Sequence, residues 1–198
     1  MGRNKTKVKF RSVYSHKKIN LFWIMIITIT TLITAILLGY ISLLLMNKVS
    51  LFGAIIIVLF IVLLGVFFDL LGIAVTAAEE TPFHSMAASK VRGSKESIII
   101  IRNAGAVANF FNDVIGDISG IISGLATGVI VVKLVSKFSL QDTLISILLT
   151  GVIAAITVGG KAIGKEIALR HSNLIVYHLG VIYSFFKTKK KKKDKGKR

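Results

Sequence analysis

The chain has 198 residues, 54% of them hydrophobic, with a mean hydropathy of +0.76 and a formal net charge of +17. A soluble domain of this size rarely carries so much apolar sequence, so the composition favours an all-α, multi-pass membrane protein. The chain contains no cysteine, which excludes disulfides and thiolate metal sites, and its four histidines lack the spacing of a zinc hydrolase. Because P-loop, nucleophile-elbow and dinucleotide-binding motifs are also absent, no enzyme is predicted.

Basic residues are concentrated in an N-terminal arm, residues 1–20, and in a lysine-rich tail, residues 187–198. The positive-inside rule holds such flanks in the cytoplasm, and they also attract anionic lipid headgroups. We therefore interpret the charge as a topology signal with a contribution from membrane lipids, and we do not predict nucleic acid as a partner. The tail is predicted to be disordered.

Four apolar stretches predict membrane-spanning helices, because a helix needs about 20 apolar residues to cross the hydrocarbon core. They are residues 21–46, residues 51–68 with a continuation past Asp69 to about 78, residues 106–132, and residues 144–158 with Lys161 near the end. The first is longer than the apolar core of a signal peptide and lacks a clear cleavage site, so we interpret it as a retained anchor. Four spans put both termini on one side, and the basic flanks predict that this side is the cytoplasmic face of the plasma membrane.

The segment between the second and third spans, residues 76–104, predicts two short helices on the inner membrane surface. Pro82 suits the first turn of one helix, Gly93 ends it, and a second helix begins at Ser94. After the fourth span, apolar residues recur at intervals of four, three and four, which favours an amphipathic helix at the membrane interface. These residues are Ile175, Leu179, Ile182 and Phe186.

The third span contains two acids, Asp113 and Asp117, which are four residues apart and share one face of an α-helix. An ionised side chain near the bilayer centre costs about 2.5–3.5 kcal/mol on insertion scales, so such acids are expected to be paired or functional. The same span has a row of glycines at every fourth position, a pattern typical of close packing between transmembrane helices. The row comprises Gly116, Gly120, Gly124 and Gly128. Together these features point to ion handling inside a membrane bundle.

Three short motifs carry a resemblance to a known family. Residues 67–75 read FFDLLGIAV, residues 115–117 read IGD, and residues 159–168 read GGKAIGKEIA. In order and spacing they resemble the F-F-S-x-S-E-I-A-L, I-G-N and F-G-E-I-L-P-K-S-L-A motifs of the transmembrane domain shared by cyclin-M proteins and the bacterial CorB/CorC proteins. That family is implicated in magnesium and cobalt transport, and the likeness covers residues 67–186.

The resemblance implies a three-span bundle with a cytoplasmic helix pair, a following belt helix, and an ion pocket within the bundle. Because the family is commonly dimeric, a homodimer is expected. In this chain the span at residues 21–46 is additional, residues 47–186 form the family-like transmembrane domain, and the family's CBS modules are missing.

The chain departs from the family at the pocket. Leu71 and Gly72 stand where the family has a serine and a glutamate, Asp117 replaces an asparagine, and Lys161 replaces a glutamate. Oxygen donors of the kind that Mg²⁺ prefers remain nearby, although Asp69 is expected to be a solvated carboxylate near the inner interface. The candidate donors are Asp69, Asn109, Asn112, Asp113, Asp117, Ser119 and Ser123.

Two functions stay open at this point. In the first, a homodimeric bundle transports or senses a divalent cation, Mg²⁺ or also Co²⁺, with Asp117 as a ligand. In the second, Lys161 pairs with Asp117 and takes the place of the cation. The protein would then be a non-transporting membrane scaffold or regulator with a lipid-binding basic tail.

Overall fold

The computed structural model describes residues 21–138 and 142–195, and these residues form an all-α bundle without strands. Four of the helical stretches are long and apolar enough to cross a membrane, which confirms the predicted multi-pass architecture. The predicted basic arm, residues 1–20, lies outside the described residues.

The described elements follow one another with short connections. In chain order they are α1 (Leu21–Lys48), α2 (Leu51–Ala77), α3 (Thr81–Ala88), α4 (Ser94–Arg102), α5 (Ala104–Asn109), a π-helical segment (Phe110–Gly116), α6 (Asp117–Phe138), α7 (Asp142–Arg170) and α8 (Ser172–Lys195). The third span, Ala104–Phe138, is formed by α5, the π-helical segment and α6 together. Helix α2 is central, because it contacts α6, α7, α8 and the π-helical segment.

One apolar core lies at the end of the bundle where α1 connects to α2. Its buried side chains come from α1, α2 and α6 and are Met46, Ala54, Val58, Val62, Ala126 and Ile130. Lys133 of α6 donates hydrogen bonds to the carbonyl oxygens of Met46, at 2.6 Å, and Val49, at 2.5 Å. A cation satisfies the open carbonyls and the negative dipole end of a helix, so Lys133 ties the end of α1 to α6.

The other end of the bundle carries the short helices α3 and α4, and α8 packs against them. Val75 of α2, Phe83 of α3 and Val176 of α8 are almost completely buried in a second apolar core there. Pro82 lies in the first turn of α3, and Gly93, with φ 86°, immediately precedes α4. The predicted pair of short helices is therefore present, with the predicted starts at Pro82 and Ser94, but α3 ends at Ala88 and not at Gly93 as predicted.

Helices α4 and α8 approach each other closely at two glycines. A Cβ atom at Gly180 would overlap the Ser97 hydroxyl and lie 2.5 Å from the carbonyl oxygen of Gly93. The Ser97 Oγ lies 3.0 Å from the Gly93 carbonyl oxygen and 3.2 Å from that of Val176, and it donates to them. This contact, called the α4–α8 contact below, is complete within one chain.

Two helices in the second half of the chain extend beyond the ends expected from the sequence. Helix α7 does not end near residue 158 but continues to Arg170, so Lys161 lies inside a helix that no proline interrupts. Helix α8 continues to Lys195, so residues 187–195 of the predicted disordered tail are helical. Lysine is a good helix former, so a helix already nucleated upstream can continue through the lysine run.

Candidate charge site between three spans

Three ionisable side chains from three different spans meet and form what is called the charge site below. Lys161 Nζ of α7 lies 3.8 Å from Asp69 Oδ1 of α2 and 3.9 Å from Asp117 Oδ1 of α6. These distances are too long for strong direct hydrogen bonds, but they bring the ammonium into electrostatic contact with both carboxylates. A single cation therefore bridges acids from two other helices.

The three side chains differ in exposure. Asp69 is the most enclosed, with 16% of its side chain exposed, against 30% for Lys161 and 68% for Asp117. With all three groups ionised, the charge site carries one net negative charge. A carboxylate within a membrane span needs a partner, and Lys161 supplies one positive charge against these two acids.

Glycines on α7 bring Lys161 close to α2. A Cβ atom at Gly160 would lie 3.0 Å from a methyl carbon of Val66, and one at Gly164 would lie 3.5 Å from the other methyl carbon. Any larger residue at Gly160 would push α7 outward from α2. The two glycines flank Lys161 and therefore set the distance between its ammonium and Asp69.

A second close approach brings α2 against the third span. A Cβ atom at Gly65 would lie 2.9 Å from the Cβ of Ser119, and one at Gly116 would lie 3.8 Å from both the Gly65 carbonyl oxygen and Asp69 Oδ1. The Ser119 hydroxyl donates to the carbonyl oxygen of Ile115 at 2.8 Å. Small residues on both helices thus place Asp69 against the start of α6.

The π-helical segment shapes the third span just before Asp117. The Asp117 backbone N–H donates to the carbonyl oxygen of Asn112, five residues earlier in the chain. In an α-helix the acceptor would be the carbonyl oxygen of the residue four positions earlier. The Asn112 side chain packs directly on Gly72, in the space that a Cβ atom at position 72 would occupy. Within the described part of the chain, the buried Asn112 Oδ1 has no hydrogen-bond partner. Such π-helical insertions are frequent at functional sites.

The structure brings some of the predicted site residues together and leaves others apart. The interpretation that Lys161 pairs with Asp117 agrees with the geometry, and Asn112 and Ser119 lie beside the same helix contact. Asp69 was expected to be a solvated carboxylate; instead it is largely enclosed and contacts Lys161. Asp113 is exposed within the π-helical segment, where the α-helical spacing that predicted a shared face with Asp117 does not hold.

Sequence reasoning missed Asp69 as a partner of Lys161, although a signal was present. Gly65, Asp69 and Gly72 recur at intervals of four and three on α2, so they share a face, and that face permits close helix approach. The acid at the centre of such a glycine-flanked face is expected to meet a neighbouring helix.

The predicted glycine row has two different environments. Gly116 faces α2, whereas a Cβ atom at Gly120, Gly124 or Gly128 would meet no atom of the described chain within 4 Å. Two of these positions, Gly120 and Gly124, border a groove of about 250 Å³ between α6 and α7, called the α6–α7 groove below. Its lining is small and weakly polar and comprises Gly120, Ser123, Gly124, Thr127, Thr150, Ile153, Ala154, Thr157 and Val158. A helix contact at these glycines would need a second molecule.

A metal centre built from charged ligands is not evident in residues 21–138 and 142–195. No group of three or more histidine, cysteine, aspartate or glutamate side chains that could hold a metal ion occurs among these described residues. Any metal bound at the charge site would rely on Asp69 and Asp117 together with neutral oxygens such as Asn112 Oδ1 and Ser119 Oγ.

The fold and the charge site define the chain as a multi-pass helical membrane protein with an intramembrane ion-pair network. No protein-family model, curated protein or solved structure matches the chain. The likeness to the cyclin-M and CorB/CorC transmembrane domain therefore remains a prediction that rests on the three motifs.

Proposed function

We propose that the protein is a membrane-embedded scaffold or regulator in which Lys161 is a built-in counter-cation for the charge site. The observation that supports this most directly is the position of Lys161 Nζ, within 4.0 Å of carboxylates from two other spans. An ion pair in a low-dielectric region adds little net stability, but breaking it leaves a charge without compensation. The pairing therefore specifies how α2, α6 and α7 pack against one another.

The charge at position 161 also argues against a resident divalent ion. Mg²⁺ requires near-octahedral oxygen ligation at about 2.0–2.1 Å. An ammonium that shares the same two carboxylates repels a divalent cation strongly in a region of low dielectric constant. Binding would thus require Lys161 to move away or to lose its proton.

Transport or sensing of a divalent cation, Mg²⁺ or Co²⁺, is the second candidate function, and one observation favours it. The buried Asn112 Oδ1, which lacks a hydrogen-bond partner within the described residues, adjoins the face of α2 that carries Asp69. An unpartnered buried oxygen is unusual and is available to a cation or to water. In this function Asp69, Asn112, Asp117 and Ser119 would supply oxygens after Lys161 has turned aside.

Isothermal titration calorimetry and thermal unfolding with Mg²⁺ separate the two functions. The scaffold proposal predicts that Mg²⁺ gives no saturable heat of binding with the wild-type protein in detergent and does not raise its Tm. Lys161→Met leaves two uncompensated acids, so Mg²⁺ should stabilise that variant. Lys165→Met, one turn further along α7 and exposed, is the matched control and should behave like wild type. Saturable Mg²⁺ binding by the wild type, weakened by Asp117→Asn, would instead establish the second function.

We expect the protein to lie in the plasma membrane with both termini in the cytoplasm, and single-cysteine labelling tests this. The chain has no cysteine, so each introduced thiol is unique. A cysteine at the exposed Asn47, in the last turn of α1, should react with an impermeant reagent in intact cells, and one at the exposed Lys95 should not.

A homodimer is the expected assembly, and the α6–α7 groove supports it. Three glycines of α6 leave that face open within the described chain, and glycine faces of this kind are typical contacts between transmembrane helices. The second copy would place a helix in the groove.

A further inference from the structure

A polar cavity unrelated to the charge site lies on the helix pair α4 and α8. Its volume is about 280 Å³, and four of the side chains that line it are cationic: Lys90, Arg92, Lys95 and Lys187. One acid, Glu96, also lines it and pairs with Lys187 at 3.4 Å. The lining therefore carries a clear excess of positive charge, and we name it the basic cavity.

Arg92 is held in position for ligand binding by its neighbours. The centre of its guanidinium group lies 3.8 Å from the centroid of the Phe185 ring, and its Nε donates to Ser184 Oγ at 3.4 Å. A stacked guanidinium keeps N–H donors free for a planar or tetrahedral anion, and it loses little side-chain entropy on binding. Arginine in this arrangement is well suited to phosphate oxygens.

The wall of the basic cavity is rigid. Gly93, which precedes α4 with φ 86°, packs so closely on α8 that a Cβ atom there would lie 2.7 Å from Val181. Arg92 and Ser94 flank this glycine and are therefore fixed by the α4–α8 contact. A preorganised wall lowers the cost of ordering the site when a ligand binds.

The basic cavity lies beside surface that suits the membrane interface. Helix α8 follows the fourth span after His171 alone, and it exposes Ile182, Phe185 and Phe186. An apolar cavity of about 430 Å³ lies along the same two helices, lined in part by Leu179 and Tyr183. Basic side chains next to aromatic and aliphatic ones are typical of protein surfaces at the level of lipid headgroups.

We propose that the basic cavity binds the phosphate group of an anionic phospholipid, in the leaflet next to α3 and α4. Three observations support this ligand: the excess of cations on the lining, the stacked Arg92, and the apolar surface on the same helices. A soluble phosphate compound would bind to the same cations but would not contact that apolar surface. The site shares only Lys187 with the lysine-rich tail, whose attraction to anionic lipid is diffuse, and it goes beyond the proposed scaffold or regulator function.

Quenching of a local tryptophan by brominated lipid tests the proposal in the full chain. The chain has a single tryptophan, so Trp23→Phe with Tyr183→Trp gives one reporter, four residues before Lys187 on α8. The protein is reconstituted in phosphatidylcholine vesicles that contain brominated phosphatidylglycerol or, separately, brominated phosphatidylcholine. We expect phosphatidylglycerol to quench preferentially, and we expect the double change Arg92→Gln and Lys95→Gln to lower that preference about tenfold.

Matched variants make each outcome decisive. Lys165→Gln removes an exposed cation from α7 outside the basic cavity and should leave the preference unchanged. If the double variant does not fold, Lys95→Gln alone, at an exposed position, should still lower the preference. The proposal is overturned if the preference survives in the variants that fold, or if Lys165→Gln lowers it equally. Loss of the preference when inorganic phosphate is added at constant ionic strength would assign the site to a soluble phosphate and overturn the lipid ligand.

Discussion

The α4–α8 contact and the α6–α7 groove are both built on glycines, yet one is filled and the other is open. At the α4–α8 contact, Gly180 lies directly against Ser97 and the backbone of Gly93. Along the α6–α7 groove, a Cβ atom at Gly120 or Gly124 would meet nothing within 4 Å in the described chain. The same residue type therefore serves a completed contact in one place and an unoccupied face in the other.

The polar side chains of the two regions also differ, because one reaches a neighbouring helix and the others bond only to their own helix. Ser97 is buried and reaches across to the Val176 carbonyl oxygen of another helix. On α6, Ser123 donates to the carbonyl oxygen of Gly120, and Thr127 donates to that of Ser123, so both hydroxyls are satisfied by their own helix. The α6 face therefore needs no partner for its hydrogen bonds, and any contact there depends on shape alone.

The largest difference should appear when a single methyl group is added to each region. Gly180→Ala should destabilise the protein by about 1–3 kcal/mol or displace α8, because the new methyl overlaps Ser97 and the Gly93 backbone. Gly120→Ala should be neutral or slightly stabilising, since alanine favours a helix and the site is open. Thermal unfolding followed by circular dichroism in detergent measures both. Equal losses for the two variants would show that the two glycine faces are packed alike.

A larger side chain in the open groove should affect association and leave the chain folded. Gly120→Leu should weaken self-association by about tenfold or more, whereas Leu125→Ile, an exposed change of equal size on the same helix, should have little effect. Energy transfer between donor- and acceptor-labelled copies in lipid vesicles gives the dimer fraction. Unchanged association in Gly120→Leu would mean that this face meets lipid, and the expected homodimer would need a different interface.

The stability of the short-helix end should depend slightly on pH. Hydrogen bonding from Arg102, and also from His84, holds the pKa of Glu80 below its ordinary value of 4.5. A carboxylate with a lowered pKa contributes stability above its unfolded pKa, and the contribution is lost as the pH falls through the folded value. Glu80→Gln should therefore lower Tm by about 1–2 °C at neutral pH and by less at about pH 3. A deficit that grows on acidification would contradict this role of Glu80.

Much of the fold could be predicted from the sequence because apolar length and helix breakers are local signals. The four spans, Pro82 at the start of α3 and the start of α4 after Gly93 all follow from such signals. The π-helical segment could not be predicted, since its residues suit an α-helix and its shape depends on packing against α2. That segment changes the spacing between Asp113 and Asp117, so the shared face expected for them was lost.

The charge site was predictable in part, because a charged residue in an apolar span is also a local signal. Lys161 and Asp117 are conspicuous as charges within or beside apolar spans, and their pairing was one of the two alternatives. The inclusion of Asp69 depends on how closely α7 approaches α2, which Gly160 and Gly164 determine through contacts with Val66. Such a distance is set by tertiary packing, and no pattern within a single helix reports it.

In the proposed function, Lys161 compensates the acids of the charge site. A double-mutant cycle tests this compensation most directly. Wild type, Asp69→Asn, Lys161→Met and the double variant are compared by thermal unfolding in lipid nanodiscs with metal removed. Because Lys161→Met leaves both acids without a counter-charge, whereas Asp69→Asn leaves Lys161 paired with Asp117, we predict that Lys161→Met lowers stability more. In the double variant only Asp117 is uncompensated, so Asp69→Asn should recover part of the Lys161→Met loss, with a coupling of about 1–3 kcal/mol. Additive losses in the metal-free protein, together with a wild-type Tm that rises on adding Mg²⁺, would contradict the account and assign the carboxylates to a metal ion.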